Sequence, residues 1–351
     1  MDTKITDYFK SKRVSNSMLS GLHNPRWIKI KFNNPDTEDE DRKAFRIGGA
    51  LDCLLTSPDR WENDYHVSDA IRPSGYMGKF VEHLPCGLDE SSASELYQVG
   101  YEKSGYKMKI ERVIENMWKN EETAKYYRSV CEVTGKVIIS KDEYELVLKC
   151  KDLILANEFT HPYFVTWDDW MDNHIELIHQ YPIYFDYNGF ECKGLLDGIR
   201  IDHKEKKIYP FDLKTTSGGV YNFHESFLKW GYYRQCAFYE QAMLTDELIS
   251  NLVADGYTIE DFVFVVVDSK LSSSQAAVIY KTSKRDRECG LTGCYVGNKY
   301  YKGINELMEE LRFHIETDYW DLPKDVYLSN GVIKLDVFND AEKQIVHSPD
   351  A

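Results

Sequence analysis

The sequence predicts an α/β (α+β) fold, a central mixed β-sheet flanked by helices, and three observations carry that expectation. Residues 175–214 alternate in apolar and polar character around two turn signals, as antiparallel strands do. Phe262-Val263-Phe264-Val265-Val266-Val267 is a continuous apolar run of the kind buried on both faces of a sheet. Segments with helical periodicity precede, separate and follow these strands.

The elements follow in order. Ser15 or Asn16 caps a first helix running toward His23-Asn24-Pro25. An acidic loop spans 34–41, and 45–55 reads as a helix whose apolar side is Ala50, Leu51, Leu54 and Leu55, with Asp52 at its flank. Residues 68–104, rich in Gly, Ser and polar side chains, read as loop, and 107–127 as a charged helical segment. Ser140 with Glu143 forms a capping box that opens a helix to about Asn157. Residues 223–248 read as one helix that places Gln235 and Tyr239 on a shared face, four residues apart. Ala276–Lys281 is a further strand, 293–317 a last long helix, and the chain from 339 a charged tail.

Composition narrows the function classes. A chain of 351 residues with 42% hydrophobic and 14% aromatic content holds a sizeable core. It has no apolar run long enough for a membrane span and no signal-peptide pattern, so a cytoplasmic location is expected. The eight cysteines are scattered, with Cys289 and Cys294 the closest pair, and read as reduced core thiols. A net charge of −15 disfavours a general nucleic-acid binder, unless basic residues gather on one face.

The chemistry concentrates at Asp197, Asp212 and Lys214. Residues 193–201 and 208–214 read as strands joined by His203-Lys204-Glu205-Lys206. A loop symmetric about those four residues sets Asp197 opposite Asp212, where facing Cβ atoms lie only about 4.5–5.5 Å apart. Two carboxylates at that range need a proton or a cation between them. Lys214 projects from the same face as Asp212. The Asn188-Gly189 turn ends a second hairpin, whose symmetry sets Gln180 opposite Asp197 on the other side. An Asp-Leu-Lys triplet also suits a solvated strand face with a local charge pair. Against that, Ile208, Phe211 and Leu213 flank the triplet, and Asp197 interrupts the apolar Leu195-Leu196 to Ile199 segment, where a charge needs a reason.

Four segments, in order, resemble the PD-(D/E)xK nuclease superfamily, and within it the RecE-like and YqaJ-like phage exonucleases. They are Val14–Leu19 with Asn24-Pro25, Gly48–Pro58, Gly194–Asp197 with Asp212–Thr216, and Gln235-x3-Tyr239. The resemblance spans about residues 14–330. It implies a restriction-endonuclease-like core at about 174–282 within one nuclease domain of 14–336, between tails at 1–13 and 337–351. It implies Asp197, Asp212 and the Leu213 carbonyl as ligands of Mg²⁺ or Mn²⁺, with Asp52 as a further ligand where relatives carry His. Lys214, Asp212 and Asp197 become the catalytic residues, and Gln235, Tyr239, Gln180 and Thr215 the substrate-binding ones. Many relatives carry Glu where Gln180 stands. The iron–sulfur cysteine pattern of some relatives is absent, so no cluster is expected.

The activity so implied is digestion of one strand from double-stranded DNA ends, 5′ to 3′, supplying single strands for recombination. A ring-shaped homo-oligomer and a single-strand annealing protein are the implied partners, in a host cytoplasm if the source is viral. Ile5, Tyr8 and Phe9 resemble the peptide that docks on sliding clamps. Two other readings stand beside this one: a non-catalytic nuclease-fold protein that binds DNA or protein, and a DNA-processing nuclease of the CRISPR-adaptation kind.

Overall fold

The computed structural model describes residues 8–34, 43–133, 135–165, 174–270 and 276–335. These fall into two compact units, one within Met1–Glu40, Asn157–Asp268 and Gln275–Ala351, the other within Asp41–Ala156 and Ser269–Ser274. The fold is α+β, with a central mixed sheet flanked by helices.

In the second unit, β1 (Tyr65–Ser68) pairs in parallel with β2 (Val137–Ser140). The expected helix near 45–55 spans Lys43–Thr56, and the capping box opens Lys141–Ala156. The Glu143 backbone N–H donates to Ser140 Oγ at 3.2 Å and the Ser140 N–H to Glu143 Oε2 at 3.1 Å. The other Glu143 oxygen accepts from Arg46 Nη2 at 2.7 Å, and both side chains are buried.

The loop expected at 68–104 is instead helical at Gly75–Glu82 and Gln98–Ser104. Phe80, Val81 and Tyr97 bury there with Val113, Met117 and Tyr127 in a second core. The reason is that glycine acts here as a close-contact residue rather than as a loop former. A Cβ on Gly100 would lie 2.6 Å from the Phe80 carbonyl oxygen and 2.7 Å from Leu84 Cδ2. The helical segment 107–127 divides at Asn120, whose side chain accepts from the Thr123 N–H and caps Glu121–Glu132.

In the first unit, β3 (Ile175–Tyr187), β4 (Phe190–Asp202) and β5 (Lys207–Thr216) run antiparallel in succession. The short β6 (Thr258–Ile259) and then β7 (Val263–Asp268) pair with β5 in parallel, and β8 (Val278–Lys281) returns antiparallel to β7. A parallel neighbour needs a crossover, and 217–257 supplies it with helices.

The single helix expected at 223–248 is three, Phe223–Lys229, Tyr232–Met243 and Glu247–Ala254. Gly231, at φ +70°, divides the first two, and Asp246 caps the third by accepting from the Ile249 N–H. The first helix likewise ends at Ser20, and Asn24 with Pro25 starts a second over Pro25–Asn33. The last long helix begins only at Ile304, and a short one follows over Lys324–Leu328. Before it, β9 (Cys294–Val296) and β10 (Lys299–Tyr301) form a hairpin around Gly297 at φ +60°. Among the described residues no helix is long and apolar enough to cross a membrane.

The buried pair in the second unit generates a stability prediction. Glu143→Ala removes the buried carboxylate that Arg46 pairs with and should cost about 3–5 kcal/mol, against about 1 kcal/mol for Ser140→Ala. Urea unfolding of the two variants checks the order; equal losses would show that the pair is not the dominant contribution.

Candidate active site

The site is built where a ladder stops. β4 and β5 follow the expected register, with Asp202 opposite Lys207 and so on up to Gly198 opposite Phe211. The pairing ends one residue short of Asp197 and Asp212. Across β3 and β4 the register also holds on both sides of Gln180, but the ladder steps over that position, where φ is +50°. The expected row of Gln180, Asp197, Asp212 and Lys214 therefore exists in register, but as a gap in the sheet. A non-glycine residue in this left-handed conformation costs on the order of 1–3 kcal/mol, so packing on either side must hold it there.

The row before the gap shows what holds it. The Phe211 ring lies across Gly198, where a Cβ would come within 2.1 Å of the ring. Phe211 is fully buried, with the rings of Tyr163, Phe164 and His179 set edge-on to it at 5.2–6.1 Å between centroids. Glycine inside a strand marks such a close approach.

Beyond this row, side chains take over from the backbone. Asp197 Oδ2 accepts from the Leu213 N–H at 2.8 Å. Asp212 is 1% exposed. Its Oδ1 accepts from Gln235 Nε2 at 2.7 Å. Its Oδ2 has no hydrogen bond of good geometry and is ion-paired with the Lys214 ammonium. That ammonium also lies 4.9 Å from the centroid of the Tyr232 ring.

The helix Tyr232–Met243 is tied down by the same network. Gln235 Nε2 also donates to the Tyr239 hydroxyl at 3.3 Å, and that hydroxyl donates to the Leu195 carbonyl at 2.8 Å. Tyr239 lies over Gly194, with its ring at 3.0 Å from where a Cβ would be. Hence Gln235 and Tyr239 do share one face, and that face meets β4 and β5.

The electrostatics follow from burial. Desolvation pushes the Asp212 carboxyl above the usual carboxylate range, with Lys214 and Gln235 pulling it partly back. Burial would lower Lys214, but Asp212 first, then Tyr232 and Asp197, outweigh it and hold the amine above its ordinary value. Burial, with nearby Tyr8 and Asp212, keeps the Tyr239 hydroxyl protonated.

Leu213 is buried and Thr215 half-buried on β5, opposite Val265 and Val267. Asp52 belongs to the second unit, midway along Lys43–Thr56, where its Oδ1 accepts from Thr56 Oγ1 at 3.1 Å. Of the clamp-like residues, Ile5 lies outside the described residues and Phe9 is exposed, but Tyr8 is buried. Lys193 Nζ donates to the Tyr8 and Ser11 carbonyls at 2.7 and 2.8 Å and sits 4.7 Å from the Tyr8 ring centroid. A partner taking Tyr8 would have to undo that seat. All eight cysteines are free.

Sequence reasoning missed Tyr232, beneath the Lys214 amine, and the Gly198–Phe211 contact. A glycine inside an apolar strand beside a carboxylate was the available signal for the second.

Among the described residues no three or more His, Cys, Asp or Glu side chains gather as a metal site. A cation held there would take the carboxylates of Asp197 and Asp212, with the Leu213 carbonyl as the further oxygen expected beside them, hard donors that suit Mg²⁺ or Mn²⁺ completed by water. The buried Asp212 Oδ2, met only by an ammonium, is an anionic position that fits a cation.

No family model matches the sequence, and no curated protein does. Among solved structures, the chain is similar to the protein named "Putative exonuclease" from Eubacterium rectale, at 10% identity and a TM-score of 0.46, covering 97% of this chain and 95% of that one.

The packing generates one prediction. Gly198→Ala forces a methyl into the Phe211 ring and should destabilise the chain by about 1–3 kcal/mol, read from the urea midpoint. An unchanged midpoint would mean that Phe211 is free to move and does not hold the end of the ladder.

Proposed function

We propose that the chain is a divalent-metal-dependent deoxyribonuclease, an exonuclease that hydrolyses phosphodiester bonds from duplex ends, in the 5′ to 3′ direction. The observation that carries this reading is the gap in the sheet. Asp197 and the buried Asp212 flank it, and a lysine held in its charged form stands at Asp212. The order of the four nuclease-like sequence segments supports it.

Asp197 and Asp212 would hold one Mg²⁺ or Mn²⁺, which when bound polarises the scissile phosphate and lowers the pKa of water. The remaining work falls to residues of the chain. Lys214, its amine held above its ordinary value by Asp212, orients the attacking water or stabilises charge as it builds on the phosphoryl oxygens. Gln235 fixes the rotamer of Asp212 through Oδ1 and turns Oδ2 toward the Lys214 ammonium, which a metal ion would have to displace or share that oxygen with. Tyr239 fixes Gln235 in turn by occupying the Leu195 carbonyl. Tyr232 limits where the Lys214 amine can go.

Two carboxylates are a lean donor set, and this favours a second reading, a nuclease fold that binds without cutting. One assay separates the two. Purified protein is incubated with end-labelled linear DNA and closed circular DNA, with Mg²⁺ or with EDTA, beside Asp212→Ala and Lys214→Ala. The expected outcome is Mg²⁺-dependent loss of linear DNA only, reduced in both variants by at least about 10²-fold, as when an electrostatic donor is removed. No activity on any substrate favours the binding reading. Cutting of closed circles overturns the exonuclease assignment, and full activity in both variants shows that the site is elsewhere.

A further inference from the structure

The first unit carries an open groove of about 760 Å³, formed around Arg234, Lys229 and Lys299. We infer that this groove is a binding site for single-stranded nucleic acid, taking phosphates on these three cations and bases on the aromatic rings beside them. The inference deepens the nuclease reading and rests on it, because it assigns a path to the strand that such an enzyme separates.

Arg234 is the first argument. Its side chain is half-buried, and among the described residues no carboxylate pairs with it. Its Nη1 donates to the Tyr233 hydroxyl at 2.6 Å and to the Lys302 carbonyl at 3.3 Å, and Nη2 reaches Ser20 Oγ at 3.4 Å. Its buried Nε has no partner. A half-buried guanidinium without a carboxylate partner attracts an anion from outside, and one Nη2 N–H remains to donate to a phosphate oxygen. The nearby Glu310 cannot serve, because it takes the Lys302 ammonium at 3.0 Å and the Lys324 N–H at 3.3 Å.

Lys229 and Lys299 are the second. Both are exposed on the groove, and neither has a carboxylate partner among the described residues. The groove also carries the exposed Glu225, one turn before Lys229, so three cations face one open carboxylate there, an excess of positive charge in a chain of net charge −15. Charge alone would suit an acidic peptide as well.

The aromatic residues decide for a nucleic acid. Tyr300 lines the groove at 40% exposure, with Tyr295 beside it at 4.9 Å between centroids. Trp230, half exposed, has the Lys229 ammonium over its ring at 4.8 Å. Cations interleaved with exposed rings are how sequence-tolerant proteins hold a single strand, because every base has a face to stack. A groove of this size suits a few unpaired nucleotides.

The groove is also well placed. Arg234 and Gln235 are consecutive on one helix, so they point about 100° apart on a cylinder roughly 10–12 Å across. One helix thus serves the carboxylates with one face and the groove with the next.

The test is a binding measurement in EDTA, where no metal-dependent cutting occurs. Full-length protein is titrated into fluorescein-labelled oligo-dT of twenty nucleotides over a range of KCl, with anisotropy as readout. Lys229→Glu/Lys299→Glu should weaken binding at least roughly tenfold and reduce the slope of log Kd against log salt by about 1.4, from two contacts at about 0.7 each. Trp230→Ala should weaken it roughly fivefold or more with the slope unchanged, as loss of a stacking platform does. Unchanged circular dichroism shows that the variants are folded.

Affinities within twofold of the wild type in both variants overturn the inference. So does poly-aspartate that displaces the labelled strand as well as unlabelled oligo-dT does, since the occupant would then be an acidic peptide. Because no cutting is involved, the two readings fail separately. Intact groove binding without nuclease activity overturns only the nuclease reading, and intact cutting with unaltered binding in the variants overturns only the groove.

Discussion

A carboxylate buried in a sheet has to be compensated, and the architecture around Asp212 is arranged to do it. Removing an ion of this size from water costs several kcal/mol even after relaxation, and attraction offsets this only with close partners. Lys214 supplies the charge from the same strand, two residues on. Gln235 supplies the hydrogen bond from the crossover helix. Since Gln235 is itself held through Tyr239 to the Leu195 carbonyl, one buried charge binds β4, β5 and the helix Tyr232–Met243 into a single rigid corner.

Compensation alone would give an inert ion pair. What sets the corner apart is that the regular β4–β5 pairing stops there. Phe211 folded over Gly198 ends the β4–β5 ladder, and Gln180 in a left-handed conformation interrupts β3 at the same level. The backbone groups released by the gap are met by side chains, as when Asp197 accepts from the Leu213 N–H. Donor and acceptor needs that a regular sheet would have satisfied internally are thereby turned toward a common point. The helix at that corner also carries Arg234, so the same element that steadies the carboxylates shapes the groove beside them.

Much of this was legible in the sequence because it rests on local rules. The Asn188-Gly189 turn and the polar connection at 203–206 set both registers, and these place Asp197 level with Asp212 as expected. The capping box at Ser140 was equally plain. The gap itself was not, since it depends on a ring crossing a glycine in the neighbouring strand, a tertiary contact with no periodicity. Gly100 misled in the same way: it was counted toward a loop when its lack of a side chain lets two helices touch. Gly231, at positive φ, divided a segment whose helical pattern ran through it, and Gly297, also at positive φ, turns a hairpin where the last long helix was expected to start. Tyr8 was read as a displayed aromatic, and nothing in the local sequence announced that Lys193 would hold its carbonyl.

The central claim is that Asp197 and Asp212 together form a cation site, and metal binding tests it without dependence on substrate, direction or oligomeric state. Mn²⁺ titrated into the metal-free protein and followed by electron paramagnetic resonance should be taken up by the wild type. Asp197→Asn and Asp212→Asn should each weaken uptake by more than roughly tenfold, the least that loss of even an outer-shell partner brings. Mn²⁺ held equally well by both variants, or not held by the wild type, would contradict the account.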